Sequence, residues 1–398
     1  MHEQRLLHEL LVEGGAGMHG RRRAALMRAV GAVLRGERLT LTDVGRNLEG
    51  RAYEKHKVKR VDRLLGNAWL HGERLELYAA IAGSVTEARG WVPVVVDWTA
   101  GPAQRYLMLE AAVPVGGRAV AVYQEVHALA AYKNARVQKR FVQRLCEVLP
   151  SGRKVVVIAD AGFQRSFFEE VEKQGWYWVW RLSEPLSVRK VGAADWQPLP
   201  QLHAQAAGRP RELGEYELRK SRPHAARLCV LRPPKRYRRE RPNHREHGHG
   251  TMQRRYRKLY RGPWVLASNL PREQFSASDI AELYARRMQI EETFRDLKSH
   301  RFGYALDYAR SRQLKRVENL RLIGALAMLV QCLVGLAGYA RRLTRHFQVN
   351  TERRRRVLSW AFLARRLLRS VRFTLSMQEL REILALLPTL TTYEPVHT

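Results

Sequence analysis

Two apolar runs that each end on an aspartate constrain this chain most: VPVVVD, closing at Asp97, and KVVVIAD, closing at Asp160 just before Ala161-Gly162-Phe163. Successive β-branched residues without helical spacing read as strands. A carboxylate at the end of such a strand costs roughly several kcal/mol if it is buried and unpaired, so it faces solvent or binds a cation. Composition sharpens the choice, because 71 Lys and Arg stand against 38 Asp and Glu, a formal charge of +33. Two acids at one sheet edge of so basic a chain point to a hard divalent cation. The plainer reading of each is a turn former or a helix cap.

The elements around these runs set the fold class. Residues 92–99, 105–115 and 118–126 are strand-like, and Gly116-Gly117 marks a hairpin turn between the last two. A helix over 135–149, a buried strand over 154–160, a helix over 164–174 and a strand over 176–182 (WYWVWRL) follow. The order β-β-β-α-β-α-β is that of an α/β, ribonuclease-H-like core, whose reactive end lies where the first and fourth strands finish. Residues 183–262 form a polar, Pro-punctuated and basic insertion with short strand-like pieces such as 226–231. A strong helix is expected over 276–299, and everything after 310 reads as helical and basic. Three parts result: a helical DNA-binding N-terminal region (1–75), a catalytic core (90–310) and a helical C-terminal region expected to dimerise and contact DNA (311–398).

The charge excess calls for a polyanionic partner, nucleic acid before a membrane surface. In the N-terminal part, Thr42 is the expected N-cap of a short helix that Gly50 ends, and YEKHKVKRVDRLLGN follows as a second helix. Val58, Val61 and Leu65 share one face of that helix, while Lys55, Lys59 and Arg63, with Arg60 beside them, offer a basic one. This is the outline of a helix-turn-helix DNA reader, and equally that of a bundle helix with a solvated face. Within the insertion, Lys235, Arg236, Arg238 and Arg239 are interleaved with Tyr237, Tyr256 and Tyr260, which suits an arm that tracks a DNA backbone and stacks on bases.

Residues 322–340 (LIGALAMLVQCLVGLAGYA) are long and apolar enough to span a bilayer, but basic flanks at both ends and the lack of a second candidate favour a core helix and no membrane partner. The N-terminus lacks the pattern of a signal peptide. Cys146, Cys229 and Cys332 are too scattered for a disulfide framework or a zinc site, which fits a reduced cytoplasm.

One further pattern carries chemistry. In YARRMQIEETFRDLK, Tyr284, Arg287, Glu291 and Lys298 are spaced by three, four and seven, so one helical stripe presents a hydroxyl, a cation, an anion and a cation. On an ordinary surface helix this is paired charge. Beside Asp97 and Asp160 it supplies a third carboxylate, with cations to hold phosphates.

With VVVDW at Asp97, DAGF at Asp160, PWVLASNLP over 263–271, RMQIEETFRDLK, and LTLTDVGRNL and KHKVKRVDRLLGN near the N-terminus, the sequence resembles DDE transposases of the insertion-sequence-four family. That is the cut-and-paste group typified by the Tn-five and Tn-ten elements, and the likeness is greatest to the insertion-sequence-ten branch. The family signature of Tyr, Arg, Glu and Lys is reproduced without a gap, and the likeness runs from about residue 39 to about residue 320.

The resemblance implies that Asp97, Asp160 and Glu291 form a triad coordinating two Mg²⁺ ions, with Mn²⁺ able to substitute. It implies that Tyr284, Arg287 and Lys298 bind DNA phosphates, and that Trp264 stacks a flipped base while a DNA hairpin forms. Where some relatives carry Trp after the signature Arg, this chain has Met288. It further implies contact of the insertion with the transposon end, a homodimer on paired ends, insertion into target DNA, and a bacterial, nucleoid-associated location. A DNA-binding descendant without chemistry and a related nuclease without strand transfer are the alternatives, separated by metal-dependent cleavage and by strand joining.

Overall fold

The computed structural model describes residues 17–87, 89–233, 262–301, 303–353, 356–370 and 372–396. In chain order the N-terminal helices are α1 (Gly20–Gly36), α2 (Leu41–Arg46), α3 (Glu54–Leu65), α4 (Ala68–Gly72) and α5 (Arg74–Thr86). Strands β1 (Trp91–Ala100), β2 (Leu107–Val115) and β3 (Arg118–His127) follow, then α6 (Ala135–Val148), β4 (Lys154–Ala159), α7 (Arg165–Lys173) and β5 (Tyr177–Arg181). The insertion supplies β6 (Ser187–Lys190), β7 (Gln197–Pro198), β8 (Arg211–Leu218) and β9 (His224–Leu231). Next come β10 (Trp264–Ser268), α8 (Ala277–Ala285) and α9 (Met288–Lys298), and last α10 (Leu314–Ala340), α11 (Thr344–Phe347), α12 (Trp360–Arg369) and α13 (Met377–Thr391).

The chain is thus mixed α/β, as its sequence indicates. It divides into two compact units that cut across the three-part division: 1–155 with 287–393, and 156–286 with 394–398. The N-terminal and C-terminal helices belong to the same unit because they share one core.

In the first unit the strand order is β3-β2-β1, antiparallel throughout. Gly116 (φ 54°) and Gly117 (φ 100°) form the two-residue turn between β2 and β3, where both positions need positive φ. Helix α10 is the centre of the unit: its apolar window is 94% buried, and it packs on α1, α12, α13 and β3. It is the one helix among the described residues long and apolar enough to cross a bilayer, and here it is the core of a globule. Thr40, not Thr42, caps α2, accepting from Asp43 N at 3.1 Å, because its extended backbone turns Oγ1 onto that amide. Helix α2 also ends at Arg46, four residues before Gly50. Gly45 lets α2 cross α3 closely, since a Cβ there would lie 2.6 Å from Val58 Cα.

In the second unit β4 and β5 are parallel, joined through α7, and the strand order is β4-β5-β10-β9-β8-β6-β7 with every later pairing antiparallel. The insertion is therefore strand-rich where residues are described. Arg227 on β9 forks onto Glu212 of β8 at 3.0 and 2.6 Å and donates to the Phe275 carbonyl at 2.7 Å, which ties the insertion to the start of α8. Ser276 and Asp279 cap α8 reciprocally.

Candidate active site

Asp97 lies three residues inside β1, which runs on to Ala100, rather than at its end. The strand continues because its partner β2 pairs as far as Ala100 with Leu107. Asp97 Oδ1 accepts the following Trp98 N–H at 2.8 Å, which fixes the carboxylate, and Oδ2 accepts from Arg287 at 3.0 Å. Arg287 donates its other terminal nitrogen to Glu291 Oε1. The Arg287 side chain is 8% exposed, and those of Asp97 and Glu291 are 10% and 22% exposed. Two carboxylates 194 positions apart in the chain thus converge on one buried guanidinium.

Helix α9 holds this arrangement in place. Gln289 accepts the Gly117 N–H at 2.9 Å, the Thr293 hydroxyl accepts from Ala119 N at 2.8 Å, and Asp296 accepts from Arg118 at 2.5 Å. These side chains lock α9 to the β2–β3 hairpin, while Ile290, Phe294 and Leu297 are buried beside them. The stripe of Arg287, Glu291 and Lys298 then faces β1. Lys298 Nζ donates to Thr99 Oγ1 at 2.6 Å. Thr99 shares the strand face of Asp97 through the two-residue period. Burial holds the Lys298 ammonium below its ordinary pKa, with Asp307 and Asp97 pulling the other way.

The single helix expected over 276–299 is two. A turn at Arg286 and Arg287 separates α8 from α9, so Tyr284 is on α8 while Glu291 and Lys298 are on α9. Tyr284 and Trp264 lie in the second unit, ring centroids 4.8 Å apart and edge to face, and Trp264 is 5% exposed. Asp160 also belongs to that unit, directly after β4, where its carboxylate accepts the Gly162 N–H at 2.7 Å and shapes the DAGF turn. Lys55, Lys59, Arg60 and Arg63 are exposed on α3. Lys235, Arg236, Arg238 and Arg239 fall outside the described residues.

One charged pair escaped the sequence reading. Glu110 stands opposite Asp97 in the β1–β2 register and is paired with Arg321 of α10, both fully buried. Burial raises the Glu110 carboxyl above its usual range, and Arg321 only partly offsets this. The signal was an acid inside the apolar run LMLEAAVPV, the same signal that marked Asp97.

Among the described residues no three His, Cys, Asp or Glu side chains are grouped so as to hold a metal ion. Asp97 and Glu291 nonetheless fit one by donor chemistry: two hard oxygen ligands aimed at a place now filled by a cation. A Mg²⁺ site is commonly built from one or two carboxylates completed by water and substrate phosphates.

Residues 124–330, more than half of the chain, match the family described as transposase DDE domain. The chain belongs to that family. The matched stretch of this DDE transposase contains Asp160, Trp264 and the signature from Tyr284 to Lys298, while Asp97 precedes it. No curated protein matches the chain. Membership makes the chain a transposition enzyme whose substrate is DNA.

Proposed function

We propose that this chain is an active cut-and-paste transposase of the insertion-sequence-four family, nearest the insertion-sequence-ten branch, with a ribonuclease-H-like catalytic core over 90–310. The observation that carries the reading is the convergence of Asp97 and Glu291 on Arg287. Taking these three charges out of water is costly, and that cost supports a use for the cluster beyond a structural ion pair.

In this reading Asp97 and Glu291, with Asp160, hold two Mg²⁺ ions, for which Mn²⁺ can substitute. When bound, such ions lower the pKa of an attacking water or hydroxyl and stabilise the leaving 3′ oxygen. The residues of the chain do the rest. The Trp98 amide orients the Asp97 carboxylate, and Thr99 steers the Lys298 ammonium toward a DNA phosphate. Arg287 and Tyr284 bind neighbouring phosphates. Fixed cations of this kind position the strand for every step.

Water cuts one strand at each terminal inverted repeat. The freed 3′-OH attacks the opposite strand and closes a hairpin, a second water opens it, and the blunt end joins target DNA. Trp264 stacks the base extruded at the hairpin stage. Its ring is covered edge-on by Tyr284 and overlooked by Arg181 at 6.0 Å, so it receives a base only after one of these yields. Lys55, Lys59, Arg60 and Arg63 of the N-terminal region (1–75) and Lys235, Arg236, Arg238 and Arg239 of the insertion contact double-stranded DNA. The C-terminal region (311–398) contacts DNA and supports a homodimer on paired ends in the bacterial cytoplasm, close to the nucleoid.

The test is a gel time course with purified protein, Mg²⁺ and end-labelled DNA carrying the flanking ends of the element. Nicks, then hairpins, then joined products are expected. Asp97→Ala, Asp160→Ala and Glu291→Ala each abolish nicking while end binding persists. Trp264→Ala accumulates nicks with few hairpins, and Lys298→Ala slows the first nick. Cleavage without joining would make the chain a nuclease. Binding without cleavage would leave a DNA-binding protein.

A further inference from the structure

A cavity of about 540 Å³ opens in the first unit beside α2, with Thr42 and Asp43 on one wall and Tyr308, Arg310, Ser311, Arg312 and Arg316 on the other. Arg310 and Arg312 are exposed, and neither makes a hydrogen bond or ion pair among the described residues. The one carboxylate of the lining is already engaged: Asp43 accepts from Thr40 Oγ1 at 2.6 Å and has Arg38 at 3.8 Å. The hydroxyls of Thr42 and Ser311 have no partner either. Tyr308 is 53% exposed, with the His300 ring tilted against it at 5.3 Å between centroids. A concave site with two uncompensated guanidiniums, free hydroxyls and a half-exposed ring beside an imidazole matches a phosphodiester and its sugar.

The cavity is also continuous with the basic helix. Arg316 at its edge donates to Asp62 of α3 at 2.5 Å, and Asp62 pairs in turn with Lys59 at 3.1 Å. The cations of the cavity and those of α3 therefore form a single surface, carried by the loop before α10 as well as by the N-terminal helices. Nothing in the basic composition singles this loop out, since residues 310–316 read as one more Arg-containing stretch.

We propose that this cavity is a DNA-backbone seat, in which Arg310 and Arg312 each hold a phosphate of one strand while α3 lies against the same duplex. The inference rests on the reading of the chain as a transposase acting on DNA ends. It names the 308–316 loop as a contact beside those of α3 and the insertion, so that DNA bound by the N-terminal helices also rests on this loop.

The experiment measures the affinity of the full chain for an element-end duplex across a salt series by fluorescence anisotropy, with the paired variant R310A/R312A. Both side chains are exposed and unpaired, so the fold is undisturbed. Each phosphate contact contributes about 0.9 to the slope of log affinity against log salt, so the paired variant is expected to flatten it by about 1.8 and to bind ten-fold or more weakly at low salt. R136A/K139A, which removes two cations from α6, lowers net charge equally and is expected to leave the slope unchanged. An unaltered slope in R310A/R312A, or equal flattening by both pairs, overturns the seat while leaving the transposase reading intact. Failure of the unmodified chain to bind the duplex at all would refute that reading, and the seat with it.

Discussion

Replacing Arg287 by Met keeps most of the side-chain stem and removes the charge that joins Asp97 to Glu291. Both acids then face each other across a site where Asp97 is only 10% exposed. Removing one member of a buried ion pair typically costs about 3–5 kcal/mol, because the remaining charge is left without a counterion. Glu291, 22% exposed, relieves part of this by turning to water, so the lower end applies. About 3 kcal/mol lowers the melting temperature of a unit of this size by roughly 6–10 °C. The loss should be largest in EDTA. Millimolar Mg²⁺ can take the two carboxylates in place of the guanidinium, so it should raise the melting temperature of Arg287→Met more than that of the unmodified chain. Calorimetric melting of both proteins with and without Mg²⁺ measures both effects. If Arg287→Met melts with the wild type in EDTA, the guanidinium is not what holds the acids together. If Mg²⁺ stabilises both equally, the two carboxylates do not form a cation site.

Other consequences are equally direct. Arg321→Met should destabilise the chain by about 3–5 kcal/mol by stranding Glu110, whereas adding Glu110→Leu should recover most of the loss in urea unfolding, since a buried pair is often no better than apolar packing. Gly335→Ala places a Cβ 2.2 Å from the Trp360 carbonyl oxygen, so α10 and α12 must separate; a fall in melting temperature is expected, and an unchanged one would show that the contact relaxes freely. The Glu212 carboxyl is held below its usual 4.5, first by its hydrogen bonds from Arg227. A depressed carboxylate contributes stability in full above its unfolded pKa and loses it as pH falls through the folded value. The gap in melting temperature between wild type and Glu212→Gln should therefore be widest near neutrality and close as pH falls below about 4, and a gap that widens in acid would reverse the assignment.

Sequence alone carried the chemistry of the site further than its geometry. Valine runs fixed β1 and β4 as strands because burial of β-branched side chains needs no information from elsewhere, and the glycine pair at 116–117 marked its turn by the sign of φ. Arg287, Glu291 and Lys298 were legible as one face because helical spacing is local. What remained hidden depends on contacts between distant segments. That α9 stays on the hairpin follows from Gln289 and Thr293 meeting backbone amides, and Asp296 the Arg118 guanidinium, more than 170 positions away. The break at Arg286 and Arg287 was invisible because both residues keep helical dihedrals and no Pro or Gly announces it. The Glu110 and Arg321 pair is a matter of register and helix docking, 211 positions apart. Local periodicity determines which elements form and which residues share a face. Only the packed chain decides which faces meet, because the free energy of burying charge depends on a partner that no short stretch of sequence can name.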